Sequence, residues 1–227
     1  DYPVYDTPSS SQCMPWYNYK SAITTVNIAE GVTTIGACAF WGCSSLTSVT
    51  TPATISTIGF GAFCDCSGLQ QVTIKAGFVG ESAFIRCTAL RTVTVGSGVT
   101  GFGISAFENC PGLTGVYISD LAAWCRIDFG GYLSNPLYGA KRLYLNGVEL
   151  TDLQIQDGVT AISDYAFGDA LSITSVTVPA SVQRIGDYAF YQCSNIRTVN
   201  LPTSGLNRIG ASAFDSCTNL GQIAIPD

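Results

Sequence analysis

At 227 residues, 47% hydrophobic and 11% charged, the chain is too apolar and too weakly charged to be disordered, and its length admits one domain or two. A net charge of −6, with Lys141-Arg142 as the only adjacent basic pair, leaves no basic stripe and argues against nucleic acid as a partner. No apolar run approaches the ~18 residues of a membrane-spanning helix. The absence of histidine removes Ser-His-Asp, Cys-His and His-containing metal sites.

Residues 1–21 do not repeat. They hold three of the nine prolines, four tyrosines and Trp16. A solenoid must cover its first coil, so this segment reads as an N-terminal cap with Pro15, Trp16 and Tyr17 over the core. The rival reading is an exposed aromatic ligand site. The chain opens at Asp1 in polar sequence with no signal peptide, which suits a mature protein or an excised piece.

A repeat domain follows over 22–227. Its clearest copy is Ile185 to Leu201, with the skeleton I-G-x-x-A-F-x-x-C-x-x-L/I-x-x-V-x-I/L. An Ala-Phe pair recurs at Phe40, Phe63, Phe84, Phe107, Phe167, Phe190 and Phe214, with steps of 23, 21 and 23, then 23 and 24 after an interruption. L-x-x-V-x-I predicts a short strand with its apolar residues inward. Proline then ends the strand at Pro52, Pro179, Pro202 and Pro226. V-x-x-I predicts a second extended piece, and the glycine after it a turn or a close backbone approach. A-F-x-x-C-x-x-L has the spacing of a short helical or 3-10 turn, with Phe stacked on Phe between coils.

Six cysteines (Cys43, Cys66, Cys87, Cys110, Cys193, Cys217) share one inward register, filled by Ala170 in the fifth copy. They read as small buried hydrophobes, since a ladder spreads thiols along a line and cannot converge on a metal. Cys13, Cys38, Cys64 and Cys125 fall outside that register.

Residues 119–151 interrupt the pattern as one enlarged coil. Asp120 is placed to cap a short helix from Leu121 to about Ile127. Gly130-Gly131 and Asn135-Pro136 read as loops. Ala140-x-x-Leu143-x-Leu145 is a strand, and Asn146-Gly147 a hairpin turn into Val148-Glu149. Trp124, Phe129, Tyr132, Tyr138 and Tyr144 cluster here. With Asp120, Asp128 and Asn135 they could form a sugar platform, or the loop could pack on its own rings. Asp152 and Asp157 are carboxylates without a catalytic setting.

The repeat I-G-x-x-A-F-x-x-C-x-x-L-x-x-V-x-I-P resembles the BspA-like, or Treponema pallidum type, leucine-rich repeats over about residues 22–227. Pro15-Trp16-Tyr17 and the stretches W-C-R-I-D-F, N-P-L-Y and L-Y-L-N-G of the insert look like features of the same family. Cysteine before the strand and proline after it depart from the commonest leucine-rich pattern. The fifth copy has Ser163 and Ala170 in place of glycine and cysteine. The resemblance implies an α/β leucine-rich-repeat, right-handed solenoid with a parallel sheet on one face. It implies a secreted or surface-exposed bacterial protein concerned with adhesion, and it supplies no fixed binding motif.

The sequence therefore predicts a non-enzymatic surface protein with no cofactor, binding a protein or glycan ligand. The predicted face comprises Thr50, Gln71, Thr73, Arg91, Thr94, Tyr117, Arg142, Tyr144, Gln154, Arg197 and Asn200. Thr47, Ser48, Gln70, Thr92 and Thr177 lie beside them. The alternatives are carbohydrate binding at the insert aromatics, or a spacer in a larger surface protein. The last coil ends at Ile225 without polar cover, so further chain is expected beyond it.

Overall fold

The computed structural model describes residues 16–225; the expectations placed on Pro15, Cys13 and the rest of residues 1–15 lie outside them. The chain winds as a solenoid whose coils pair almost wholly in parallel. The strand face is formed by Ser48–Thr50, Gln71–Val79, Thr92–Phe102, Gly115–Ile118 and Leu143–Leu145, then Asp152–Gln154, Ser175–Thr177 and Thr198–Asn200. A second face carries two-residue strands such as Thr57–Ile58 and Arg184–Ile185. One sheet of nine strands and two sheets of three result.

Proline marks the end of three of these strands. Ser48–Thr50, Ser175–Thr177 and Thr198–Asn200 each stop two residues before Pro52, Pro179 or Pro202. At these three sites the missing N–H donor is the reason. Gln71–Val79 and Thr92–Phe102, which no proline follows, run on around the corner, while Asp152–Gln154 stops without one.

The core is the predicted set of ladders. Val49, Val72, Val93 and Val116 are in register, and all are buried. Phe40, Phe63, Phe84 and Phe107 stack with centroids 5.1, 5.2 and 5.3 Å apart. Trp16 continues that stack, 5.0 Å from Phe40. Phe167, Phe190 and Phe214 form a second stack. Offset stacking adds about 0.5–1.5 kcal/mol per ring pair beyond burial.

The A-F-x-x-C segment differs from the helical turn its spacing predicts. It is a pair of i→i+3 turns, Ala39 N–H to Gly36 O and Cys43 N–H to Phe40 O in the first copy. The residue before the alanine and the one before the cysteine position both have positive φ in all seven copies, for example Cys38 and Gly42, or Ser82 and Arg86. A positive φ at the third residue is the mark of a type II turn. For non-glycine residues it costs about 1 kcal/mol or more. The return is a ladder on the third face: N–H groups of Gly61, Phe63 and Asp65 donate to carbonyls of Glu81, Ala83 and Ile85 on the next coil.

The glycine of I-G serves close approach. A Cβ on Gly59, Gly103 or Gly186 would lie 2.5–2.6 Å from backbone nitrogen of the preceding coil, whereas Gly36, at the first coil, faces open space. Gly130 occupies the same register: Gly101-Phe102 pairs with Asp128-Phe129, and a Cβ on Gly130 would lie 3.0 Å from Ile104 N. The enlarged coil thus keeps one element of the repeat.

The ladder cysteines do more than fill space. The thiols of Cys66, Cys87, Cys110, Cys193 and Cys217 lie 2.9–3.2 Å from the carbonyl of the preceding coil's phenylalanine and donate to it. Ala170 follows the enlarged coil, which has no Ala-Phe turn and so offers no such acceptor. Cys125 is buried, and its carbonyl accepts from Ser163 N–H at 2.9 Å.

Candidate functional site

Parallel register builds the strand face into rows. Thr50, Thr73, Thr94, Tyr117 and Tyr144 are successive partners across the nine-stranded sheet. Ser48, Gln71, Thr92 and Gly115 form the row beside them. Gln154, Thr177 and Asn200 align on one three-stranded sheet, and Asp152, Ser175 and Thr198 run next to them. Alternation along each strand sends these side chains outward, because Val72, Val93, Val116, Leu143 and Val176 between them are buried.

Within this face Tyr117 and Tyr144 stand out. Their rings stack at 4.6 Å and 11°. Both lean over Gly115, where a Cβ would come within 3.0 Å of Tyr144 and 3.1 Å of Tyr117. Gly115 thus leaves the space that lets a tyrosine pair lie on the sheet. Arg142 sits beside them, 3.5 Å from Glu149. Arg91 and Arg197 are exposed where their strands begin and, among the described residues, form no ion pair.

At the N-terminal end, Thr50, Ser48, Asn27 and Lys75 line a depression of about 290 Å³. On the shorter sheet, Asn200 donates to Thr177 at 3.3 Å. Gln154 and Ser175 donate to Asp152 and hold its carboxyl below the usual range, the Ser175 hydroxyl having the larger effect. The predicted residues therefore divide between two sheets. Thr50, Gln71, Thr73, Thr94, Tyr117, Arg142 and Tyr144 come together; Gln154 and Asn200 belong to the second array.

The insert does not present its aromatics as one platform. Trp124 is 1% exposed, and its indole N–H donates to Ala166 O at 2.9 Å. Phe129 is also buried. Asn135 is buried and donates to Tyr165 O at 2.9 Å and Ala166 O at 3.2 Å, while its Oδ1 accepts from Leu137 N–H. In ordinary coils the alanine carbonyl takes a phenylalanine N–H from the coil before. Here Trp124 and Asn135 supply the missing donors. The sugar platform loses both for that reason.

Asp120 does cap the helix, accepting from Ala123 N–H at 2.9 Å. The helix stops at Trp124 because the chain must enter the strand Asp128–Phe129. The Asn146-Gly147 hairpin joins Leu143–Leu145 to Val148–Glu149 as predicted, and a short helix, Leu137–Ala140, was not foreseen. Tyr132 and Tyr138 meet edge to face at 4.8 Å on the turn side of the solenoid. Burial, and secondarily the Asp169 carboxylate, raise the Tyr132 phenol well above its usual value.

Parallel coils, ring and cysteine ladders and an outward polar strand face together define a leucine-rich-repeat solenoid. The family described as "BspA type Leucine rich repeat region" matches residues 16–124 and 140–227 in six copies, and the chain belongs to it. The gap falls on the interior of the enlarged coil. Among solved structures, a leucine-rich repeat protein of Bacteroides ovatus is 26% identical, with a TM-score of 0.47, covering 86% of this chain and 59% of its own. A Treponema pallidum leucine rich repeat protein is 21% identical, with a TM-score of 0.42, over 85% of this chain and 74% of its own. A leucine rich cell surface protein of Faecalibacterium prausnitzii is 23% identical, with a TM-score of 0.38, over 90% and 74%. No curated protein matches. The chain spans 59% of the length of the Bacteroides ovatus protein. Among the described residues no helix is long and apolar enough to cross a membrane.

Proposed function

We propose that the chain is a non-catalytic binding protein that acts at the cell surface or outside the cell and holds a protein ligand on its strand face. The observation that carries this reading is the Tyr117–Tyr144 pair, stacked over Gly115 within rows of threonine and glutamine. Tyrosine offers a large, rigid contact surface with little rotamer entropy to lose, and binding hot spots are enriched in it. Solenoid register makes the polar rows around it a fixed, repeating surface suited to extended recognition. Membership of the BspA-type family supports the surface location. Host or matrix proteins are the ligand class to screen first.

The test is binding of the chain to an immobilised panel of extracellular-matrix proteins, followed by substitution. Tyr117→Ala and Tyr144→Ala should each weaken an identified interaction by about tenfold or more, as expected for a hot-spot aromatic. Charge reversal at Arg91 and Arg197 should slow association. Unchanged affinity in all of these variants, for every partner found, would rule out the strand face. No binding in any screen would leave the spacer reading in its place.

A further inference from the structure

A second concave site lies away from the strand face, where the turn ladder meets the helix Leu137–Ala140. It is an open cleft of about 540 Å³, a size usual for small-ligand sites. Its floor includes Phe107, the last ring of the first stack. Among the described residues Phe107 stacks on Phe84 of the coil before and meets Phe102 of its own coil edge on, 65° between planes, and no ring of the enlarged coil continues the stack. The cleft is therefore a direct result of the broken repeat.

The walls combine one aromatic with a fixed polar set. Tyr138 lines the cleft at 36% exposure and carries Lys141 Nζ 5.1 Å from its ring centroid. Arg86 donates to both oxygens of Asp65, at 2.6 and 2.7 Å. Asp65 also accepts from the Trp41 indole at 3.0 Å, so this pair is held from behind. Its carboxyl lies below the usual range, chiefly through the bond from Arg86. Asn109 and Thr88 complete the rim, and both are exposed. Adjacent coils are ~4.8 Å apart, so these groups stand at regular intervals.

We propose that this cleft binds a neutral saccharide. Tyr138 supplies a ring against which the C–H face of a sugar can pack. Asn109, Thr88 and the remaining Arg86 N–H groups supply donors and acceptors for its hydroxyls. The Arg86–Asp65 pair is internally neutralised, so the cleft offers an anion no unmatched charge. A peptide backbone is poorly served here, because Asp65 N–H and Arg86 N–H already bond to Ile85 O and Glu108 O on the next coils. Recognition must come from side chains, as sugars require. The site is independent of the strand-face reading.

The experiment is an array of neutral oligosaccharides probed with the whole chain, with hits confirmed by saturation-transfer NMR. Tyr138→Ala should reduce affinity for the hit tenfold or more, and Asn109→Ala several-fold, in variants whose circular dichroism matches the parent. Tyr117→Ala, on the other face, should leave the signal unchanged. The proposal is overturned by a blank array, by hits unaffected by both Tyr138→Ala and Asn109→Ala, or by Tyr138-dependent binding confined to a parallel peptide array.

Discussion

Asn135→Ala should split the unfolding of the solenoid into two steps. Between ordinary coils the turn face carries three backbone bonds, such as those from Gly61, Phe63 and Asp65. Between the enlarged coil and the fifth copy the backbone links include Ser163 N–H to Cys125 O at 2.9 Å and Ser172 N–H to Lys141 O at 3.3 Å. Side chains supply further links: Asn135, Trp124 and the Lys141–Asp169 ion pair. Asn135→Ala deletes two bonds to carbonyls and the one from Leu137 N–H. Tyr165 O keeps Gly168 N–H, and Ala166 O keeps the Trp124 indole. Three bonds at about 1 kcal/mol each, plus about 1 kcal/mol for the stranded Leu137 N–H, give a loss of about 3–4 kcal/mol. A solenoid unfolds as a row of units coupled to their neighbours, so a weakened junction separates the blocks. The assay is urea unfolding followed by peptide-resolved hydrogen exchange. In the variant, residues 165–217 should lose protection at lower urea than 40–107, whereas in the parent the two should lose it together. Coincident loss in the variant, or destabilisation under about 0.5 kcal/mol, would refute this account of the junction.

Gly186→Ala should destabilise by about 2 kcal/mol or more because its Cβ meets backbone at 2.5 Å, while Gly36→Ala, in open space, should be neutral or up to about 1 kcal/mol stabilising by thermal melting. Burial pushes the Cys125 thiol from its usual 9.0 up to about 12, and Cys193 is raised in the same way. The folded value lies above the unfolded one, so stability from these groups is intact below pH 9 and falls as pH rises from 9 towards 12. Each such thiol contributes a slope of about 1.4 kcal/mol per pH unit. The urea midpoint should therefore drop between pH 9 and 10.5, and Cys125→Ala should flatten that drop; equal slopes in parent and variant would contradict it. At pH 8 iodoacetamide should label Cys193 far more slowly in the native chain than in urea, read by mass spectrometry, since only the thiolate reacts and burial disfavours it. Native labelling as fast as in urea would show that this ladder position is open.

Most of the fold is legible because inward positions carry residue identity. Phe, Cys, Leu and Val recur at fixed steps, and packing demands those types. The left-handed turn residues escaped for the opposite reason. Cys38, Ser82, Tyr165 and Tyr188 share one backbone conformation, yet they have no common side chain. Inter-coil hydrogen bonds fix their φ, and those bonds join residues about one coil apart. The roles of Trp124 and Asn135 were hidden likewise, since their acceptors lie 42 and about 30 residues on. Gly130 was readable: Phe129-Gly130 repeats Phe102-Gly103. The strand-face rows follow from alternation alone, but the approach of Tyr117 to Tyr144 needed the register across an insert of uneven length.

Hydrogen exchange of the whole chain with and without a captured matrix-protein partner tests the central claim most directly. The strand-face account predicts protection in peptides covering 70–75, 91–96, 115–118 and 142–146, with the turn face at 82–88 and 105–111 unchanged. Protection confined to the turn face, with the strand peptides exchanging as in the free protein, would contradict it.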